Sequence, residues 1–342
     1  MEQTKTALIL GATGGIGGEV ARLLVAQGWK VRALHRAPER VAASGDGIDW
    51  LSGDAMERDD VISAAHGADL IVHAVNPPGY RNWGTLVLPM IDNTIAAARA
   101  SGARILLPGT IYNYGPDAFP DVREDSPQHP VTRKGAIRVA LEARLREASA
   151  DGVRTLIVRA GDFFGPKAGN SWLAQGLIKP GKPVTAISNP SSPGVGHQWA
   201  YLPDVAETMV RLVEKGEALP AFATYHMEGH WDPDGSAMVA AIARAAGKPE
   251  LKARAVPWWL LTLASPFVPV LRELREMRYL WRQPVRMSNA RLRAVLGGEP
   301  HTPLDTAMRA TLTGLGCLEN GEDGGAAPEP RQAASRRSDA MT

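Results

Sequence analysis

Three glycines, Gly11, Gly14 and Gly17, stand three residues apart where an apolar run, Ala7–Leu10, gives way to the helical stripe Val20, Ala21, Leu23, Leu24 and Val25. A strand, a glycine turn and a helix in that order leave backbone N–H groups free at the helix start, where the positive end of the helix dipole also lies. That combination suits a pyrophosphate, and side chains at the three glycines would block its approach. Thr13, Gly15 and Ile16 complete the turn and are assigned to the same binding role. The spacing differs from the Gly-x-Gly-x-x-Gly dinucleotide fingerprint, and a merely tight turn is the alternative.

Other candidates follow from their places on the elements. At the tip of the next strand stands His35-Arg36, with no acidic residue before Glu39. An acidic residue there receives ribose hydroxyls, whereas an arginine forks onto an extra phosphate. The cofactor expected is therefore NADP, with NAD the alternative if Arg36 is only a solvated surface residue. Asp54, after the third strand, is a candidate for the adenine edge. Asn76, in Asn76-Pro-Pro-Gly79, follows the fourth strand at the edge where ligands enter open α/β sheets, and either binds there or shapes the turn. Lys134 and Arg138 lie four residues apart, on one face of a helix. Two cations so placed repel unless an anion lies beside them or one gives up its proton. Lys134 is read as a proton donor or carbonyl polariser and Arg138 as a ligand of the nicotinamide ribose or a substrate carboxylate, against the plain reading of both as solvated helix residues.

The elements that must position these groups alternate. Strands are expected at Ala7–Leu10, Val31–His35, Ile48–Leu51, Asp69–Val75, Arg104–Leu107 and Thr155–Arg159, with helices at Asp59–His66, Val87–Ala100 and Lys134–Ala148 between them. This is the rhythm of an α/β doubly wound parallel sheet, a Rossmann fold, here with a smaller C-terminal substrate lobe. Residues 1–165 are assigned to the dinucleotide-binding domain, with 196–228 returning to it. Residues 166–195 and 229–317 are assigned to the substrate lobe, and 318–342 to a disordered tail. Asp204 and Glu207 have the spacing of a helix-capping box. Further helices are expected at Gly235–Ala246, Leu271–Tyr279 and from Asn289 to the Gly297-Gly298 stop.

Composition excludes several classes. The chain has 342 residues, 44% hydrophobic and 22% charged, with a net charge of +2. That balance disfavours both disorder and a nucleic-acid binder. A single cysteine, Cys317, and an opening segment without a leader pattern fit a reducing, cytoplasmic setting. No metal site is expected: His226, His230, Asp232 and Asp234 cluster without zinc-ligand spacing. The stretch Val256–Leu271 is apolar but broken by Pro257, Pro266 and Pro269. It is read as a buried helix of the second lobe rather than a membrane-surface segment, so no membrane partner is expected.

Six pieces together resemble the extended, atypical short-chain dehydrogenase/reductases, a family that includes NAD-dependent epimerases and dehydratases. They are Gly11-Ala-Thr-Gly-Gly-Ile-Gly17, Gly53-Asp54, His73-Ala74, Thr110 through Tyr114-Gly115, Arg159 through Gly165-Pro166, and Tyr201-Leu-Pro-Asp204-Val-Ala206. The resemblance covers roughly residues 5 to 315. It implies an NAD(P)-dependent oxidoreductase or epimerase-like enzyme acting at a carbonyl or carbinol carbon, on a small molecule such as a nucleotide sugar, and a possible homodimer. It adds Ala74 to the cofactor site and Thr110 as the hydroxyl that holds the reacting oxygen. It also makes Tyr114 a packing residue and Tyr112 a reserve proton donor. The family's Tyr-x-x-x-Lys pair is absent, since Lys134 and Arg138 occupy the two positions. That departure leaves open a catalytically silent NADP-binding sensor or scaffold.

Overall fold

The computed structural model describes residues 4–41, 45–77, 82–267 and 269–318. Gly79 and all but the first residue of the expected tail lie outside them.

The N-terminal half runs β1 (Thr6–Leu10), α1 (Gly15–Ala26), β2 (Lys30–His35), β3 (Ile48–Ser52), α2 (Arg58–Ala64), β4 (Leu70–His73), α3 (Trp83–Ser101), β5 (Arg104–Thr110), a two-residue β6 (Asp121–Val122), α4 (Arg133–Ala150) and β7 (Thr155–Ala160). There follow β8 (Asp162–Phe164), β9 (Ile187–Asn189), β10 (His197–Tyr201), α5 (Leu202–Glu214), β11 (Phe222–His226), β12 (His230–Asp232), α6 (Ala237–Ala245) and β13 (Ala253–Ala255). The chain ends through α7 (Trp258–Ala264), α8 (Pro269–Glu276), β14 (Arg286–Met287), α9 (Ala290–Leu296) and α10 (Leu304–Gly314).

Seven parallel strands form one sheet in the order β11-β7-β5-β4-β1-β2-β3. The expected doubly wound sheet with a smaller C-terminal lobe is the observed architecture. Strands β1, β4 and β7 are buried along their whole lengths, as parallel strands covered by helices on both faces must be. The order reverses between β1 and β4, which opens a crevice at their C-terminal ends. A second sheet, β12-β10-β8, and the aromatic cluster of Phe164, Trp172, Trp199 and Trp281 form the core of the other lobe. Gln198 of β10 ties this sheet to its surroundings: its amide donates to the Glu228 carbonyl ahead of β12 at 2.6 Å and its side-chain oxygen accepts the N–H of Met287 on β14 at 2.9 Å.

One buried charge pair ties the central strands to α4. Arg159 on β7 donates through Nε to Glu142 Oε1 at 3.1 Å and through a second nitrogen to Glu142 Oε2. The same guanidinium donates to the Tyr114 hydroxyl at 2.6 Å and to His226 Nε2 at 3.0 Å. Gly109 makes this crossing possible, because a Cβ there would stand 2.4 Å from Arg159 Cγ. Tyr114 is thus the packing residue it was expected to be, and burial holds its phenol above the ordinary tyrosine range.

Three expectations need correction. Asp204 does not cap a helix: α5 begins at Leu202 with Pro203 in its first turn, and the Asp204 carboxylate accepts the Thr302 N–H at 2.8 Å and hydroxyl at 2.7 Å. A further helix, α10, follows the Gly297-Gly298 stop; its apolar positions Ala307, Met308 and Leu312 were too few to stand out as a stripe. Lastly, α7 is not buried: Trp259 is 66% exposed, Leu263 66% and Phe267, just beyond it, 85%. The residues of the His/Asp cluster are engaged separately. Asp232 accepts the N–H groups of Gly235, Ala237 and Met238 at the start of α6, and His226 joins the Arg159 network.

Removing one partner of a buried ion pair costs about 3–5 kcal/mol, whereas replacing both with apolar groups is often near neutral. Arg159→Met should therefore lower the urea unfolding free energy by about that amount. Arg159→Met combined with Glu142→Leu should recover at least half of the loss. A double variant as unstable as the sum of the single ones would contradict the account.

Candidate functional site

The glycine turn after β1 is held from behind by backbone. Gly11 has φ +95°, and a Cβ on it would stand 2.6 Å from the Ala74 carbonyl oxygen at the end of β4. Gly17 meets the Gly11 carbonyl, where a Cβ would stand at 2.3 Å. These two glycines are thus required by packing, which brings α1, β1 and β4 to one crevice. Gly14 differs: it is exposed, and its nearest neighbour for a Cβ is the Gly11 oxygen at 3.2 Å. It is the N-cap of α1 without a side-chain cap, and no acidic residue lies in the first turn. The helix start therefore presents N–H groups and its positive pole to the crevice beside the exposed Thr13. Gly15 and Ile16 are half-buried, Gly15 lying against Leu202 and the Lys167 carbonyl. A diphosphate fits this cradle.

Arg36 is exposed at the tip of β2 and forms no ion pair with a described residue. Asp54 is half-buried after β3, and one of its carboxylate oxygens accepts the Met56 N–H at 3.0 Å. Ala74 is bonded through its N–H to the Leu10 carbonyl at 2.9 Å, and Asn76 is exposed two residues on. Both follow β4 at the reversal point, whereas Arg36 and Asp54 lie farther along the same strand ends. The sequence-derived cofactor residues so far thus line the C-terminal edges of β1 to β4.

The catalytic candidates gather at the next strand. Thr110 ends β5; its hydroxyl accepts the Tyr112 N–H and donates to Asn113 Oδ1, each at 3.3 Å. Gly135 of α4 sits against the Tyr112 carbonyl, where a Cβ would stand at 2.3 Å, so the start of α4 is brought onto the turn after β5. The Thr132 hydroxyl caps this helix by accepting the Gly135 N–H at 2.9 Å. Tyr112 is half-buried among the residues of the second lobe.

Lys134 is not a solvated helix residue. Its side chain is 3% exposed, its Nζ lies 3.4 Å from Glu276 Oε2, and its backbone N–H donates to Glu276 Oε1 at 3.0 Å. The anion that a Lys134–Arg138 pair requires is thus supplied, for Lys134, by α8 of the second lobe. Arg138 turns instead to the strand edge: its guanidinium stands 5.1 Å from the Trp83 ring. It also helps depress the His73 imidazole, which burial, the larger cause, and this charge together bring down to about 3. His73 Nδ1 lies 2.8 Å from the Thr94 hydroxyl, which itself donates to the Met90 carbonyl. The ring is therefore neutral with its proton on Nδ1.

Sequence reasoning missed several of these groups. Glu276 and Trp83 are single residues on distant elements and leave no local pattern, and His73 stood out only through its place in the His73-Ala74 piece. Asp162 lies within the Arg159–Pro166 piece without standing out there, yet its carboxylate lies 2.8 Å from His197 Nε2, and that imidazole stacks on Trp281 at 3.7 Å. The pair borders a cavity of about 10 Å³ lined also by Ile111, Gln198, Leu280 and Val285, room for about one water. Tyr279 lies close by, its phenol raised above the ordinary range by burial and by the charges of Asp162 and Glu276.

Residues 11–175 match the family described as NAD(P)H-binding. Two curated relatives share part of the chain. The (4-alkanoyl-5-oxo-2,5-dihydrofuran-3-yl)methyl phosphate reductase of Streptomyces griseus subsp. griseus is 35% identical over 100 residues, 29% of this chain and 32% of that enzyme. The dTDP-6-deoxy-L-talose 4-dehydrogenase (NAD(P)(+)) of Kitasatospora kifunensis is 30% identical over 170 residues, 46% of this chain and 52% of that enzyme. The chain thus matches about half or less of the length of these relatives. The fold is shared more widely. A structure of a putative epimerase from Burkholderia cenocepacia covers 92% of this chain and 99% of its own, with a TM-score of 0.70 and 20% identity. UDP-glucose 4-epimerase from Bifidobacterium longum, in complex with NAD+ and UDP, covers 90% and 97%, with a TM-score of 0.66 and 14% identity. The resemblance to epimerase-like short-chain dehydrogenase/reductases is thus matched by the NAD(P)H-binding description over residues 11–175 and by a shared fold over most of the chain.

Buried neutral histidines make stability depend on pH. His226, like His73, is brought down to about 3, by burial first and then by the Arg159 charge. Below the ordinary histidine value of about 6.5 the unfolded chain takes up protons at both rings that the folded chain refuses. Stability should therefore fall as pH drops from about 6.5 towards 3, by about 1.4 kcal/mol per histidine per pH unit. Urea unfolding at neutral and mildly acidic pH measures the slope, and a flat profile would contradict the assignment.

Proposed function

We propose that the chain is an NAD(P)-dependent oxidoreductase or epimerase-like enzyme that acts at a carbonyl or carbinol carbon and takes NADP in preference to NAD. The observation that carries this reading is the uncapped start of α1 at the strand-order reversal, with exposed Arg36 at the tip of the neighbouring strand. Gly11, Thr13, Gly14, Gly15, Ile16 and Gly17 would receive the diphosphate and Arg36 the 2′-phosphate. Asp54 would face the adenine, and Ala74, Asn76 and Arg138 would flank the nicotinamide half. A bound nicotinamide dinucleotide supplies or accepts the hydride. Thr110 would hold the reacting oxygen, and Lys134 or Tyr112 would manage its proton. Reduction is preferred over epimerisation because Arg36 favours the phosphorylated cofactor, and relatives named as a reductase and a dehydrogenase support that choice. The substrate class is a small carbonyl compound, with a nucleotide sugar suggested by neighbours solved with UDP-glucose or UDP. A cytoplasmic homodimer formed through α3 and α4 completes the reading.

The second reading, a silent NADP-binding sensor or scaffold, is favoured by one observation. The Lys134 ammonium is enclosed and paired with Glu276, which leaves it a structural part to play without chemistry.

Calorimetry with NADPH and NADH tests the cofactor assignment. A charge-assisted bond to phosphate is worth about 1.5–3 kcal/mol, so Arg36→Glu should weaken NADPH binding by at least about tenfold and leave NADH nearly unchanged. Equal loss for both, or for neither, would contradict the role of Arg36. Hydride transfer to a panel of carbonyl compounds then separates the two readings. Turnover that Lys134→Ala abolishes while NADPH still binds supports the enzyme, and tight binding without turnover on any substrate supports the sensor.

A further inference from the structure

Helix α7 is apolar on both sides. Its inner side is accounted for: the Trp258 indole N–H donates to the Pro190 carbonyl at 2.9 Å, and its ring lies 6.5 Å from that of Trp172. Among the described residues, little packs against the outer side. Trp259, Leu260 and Leu263 are 66%, 46% and 66% exposed, and at 100° per residue they fall within one arc of about 100°. Phe267, 85% exposed, continues the patch past the helix end. Among the described residues only one other large hydrophobic, Val131, is comparably exposed, so these four side chains form a concentrated patch. A soluble protein seldom leaves such a cluster bare without a use for it.

The charges around the patch indicate what covers it. Residues 252–282 contain Lys252, Arg254, Arg272, Arg275, Arg278 and Arg282 against two acids, Glu273 and Glu276. Glu276 is turned inward onto Lys134. Arg275 donates to the Ser265 hydroxyl at 3.1 Å beside the end of α7, and the Arg278 guanidinium lies 5.2 Å from the Trp258 ring at its start. Cations therefore flank the helix at both ends, and Lys252, Arg254, Arg272, Arg275 and Arg282 are exposed. An apolar helix face with tryptophan, bordered by Lys and Arg, has the composition of a segment that lies in the plane of a lipid surface. A cationic rim adds attraction to anionic headgroups.

We propose that α7 and the turn after it dock this protein on an anionic lipid surface, with Trp259, Leu260, Leu263 and Phe267 in the headgroup–acyl boundary and the flanking arginines on lipid phosphates. The segment lies on the membrane and does not cross it, since none of the described helices is long and apolar enough to span. Arg272 and Arg275 of the cationic rim stand on α8, the same helix that carries Glu276 to Lys134, so the lipid contact and the candidate site meet on one element.

Flotation of the full chain with phosphatidylcholine vesicles, with and without phosphatidylglycerol, tests the proposal. Binding is expected only with the anionic lipid and should weaken as salt is raised. Trp259→Ser with Phe267→Ser, and separately Arg272→Glu with Arg275→Glu, should each lower the vesicle partition coefficient by about tenfold or more. Because the altered side chains are exposed, melting temperatures should stay near that of the parent. A second readout starts from the parent itself: brominated lipid should quench part of its tryptophan fluorescence, and the conservative Trp259→Phe should remove that part. Absence of flotation with anionic vesicles, or binding that neither pair of substitutions alters, would overturn the proposal. So would a concentration-dependent dimer that Leu263→Glu dissolves while vesicles are ignored, which would assign the face to a second copy.

Discussion

Much of this molecule is arranged around one close approach of backbone to backbone. Gly11 lies so near the Ala74 carbonyl that no side chain can stand between them, and Gly17 lies as close to Gly11. The first contact sets β1 beside β4 at the reversal of strand order, and the second sets α1 on the turn between. Gly14 is thereby left at the surface of the crevice, at a helix start with no side-chain cap and no acidic residue in its first turn. The shape of the turn is a consequence of packing as much as of glycine content.

Charge pairs extend that arrangement outward. Arg159 and Glu142 lock α4 to β7 through a pair almost wholly withdrawn from water, and Tyr114 and His226 satisfy the guanidinium's remaining donors. About two turns nearer the helix start, Lys134 reaches across to Glu276, so a single helix is held to the sheet by one ion pair and to the second lobe by another. Arg138 between them faces the end of β4. Lys134 and Arg138, four residues apart, thus serve as an interlobe bridge and as a cation at the strand edge.

The sequence made the sheet legible because parallel strands are continuous apolar runs, and β2 and β7 were located to within a residue. Boundaries slipped where side chains from afar decide them. Helix α3 begins a turn earlier than its apolar spacing suggests, at Trp83, whose ring is buried against the site. Asp204 read as a cap because its spacing to Glu207 is local, whereas its true partner, Thr302, is ninety-eight positions away. The α7 segment read as buried because composition alone cannot tell a core helix from an apolar face left at the surface. In the candidate site, the glycine turn and the Lys134–Arg138 spacing were visible, being local. Glu276, the His73–Thr94 contact and the Asp162–His197 couple were not, because each is defined by contacts between elements far apart in the chain.

The central claim is that a dinucleotide's diphosphate rests on the N–H groups at the start of α1, and amide hydrogen exchange of the full chain with and without NADPH addresses it most directly. Slowed exchange concentrated at residues 13–17 and at 74–76 is the predicted result. Unchanged exchange at residues 13–17 under saturating NADPH, with protection arising on some other surface, would contradict it.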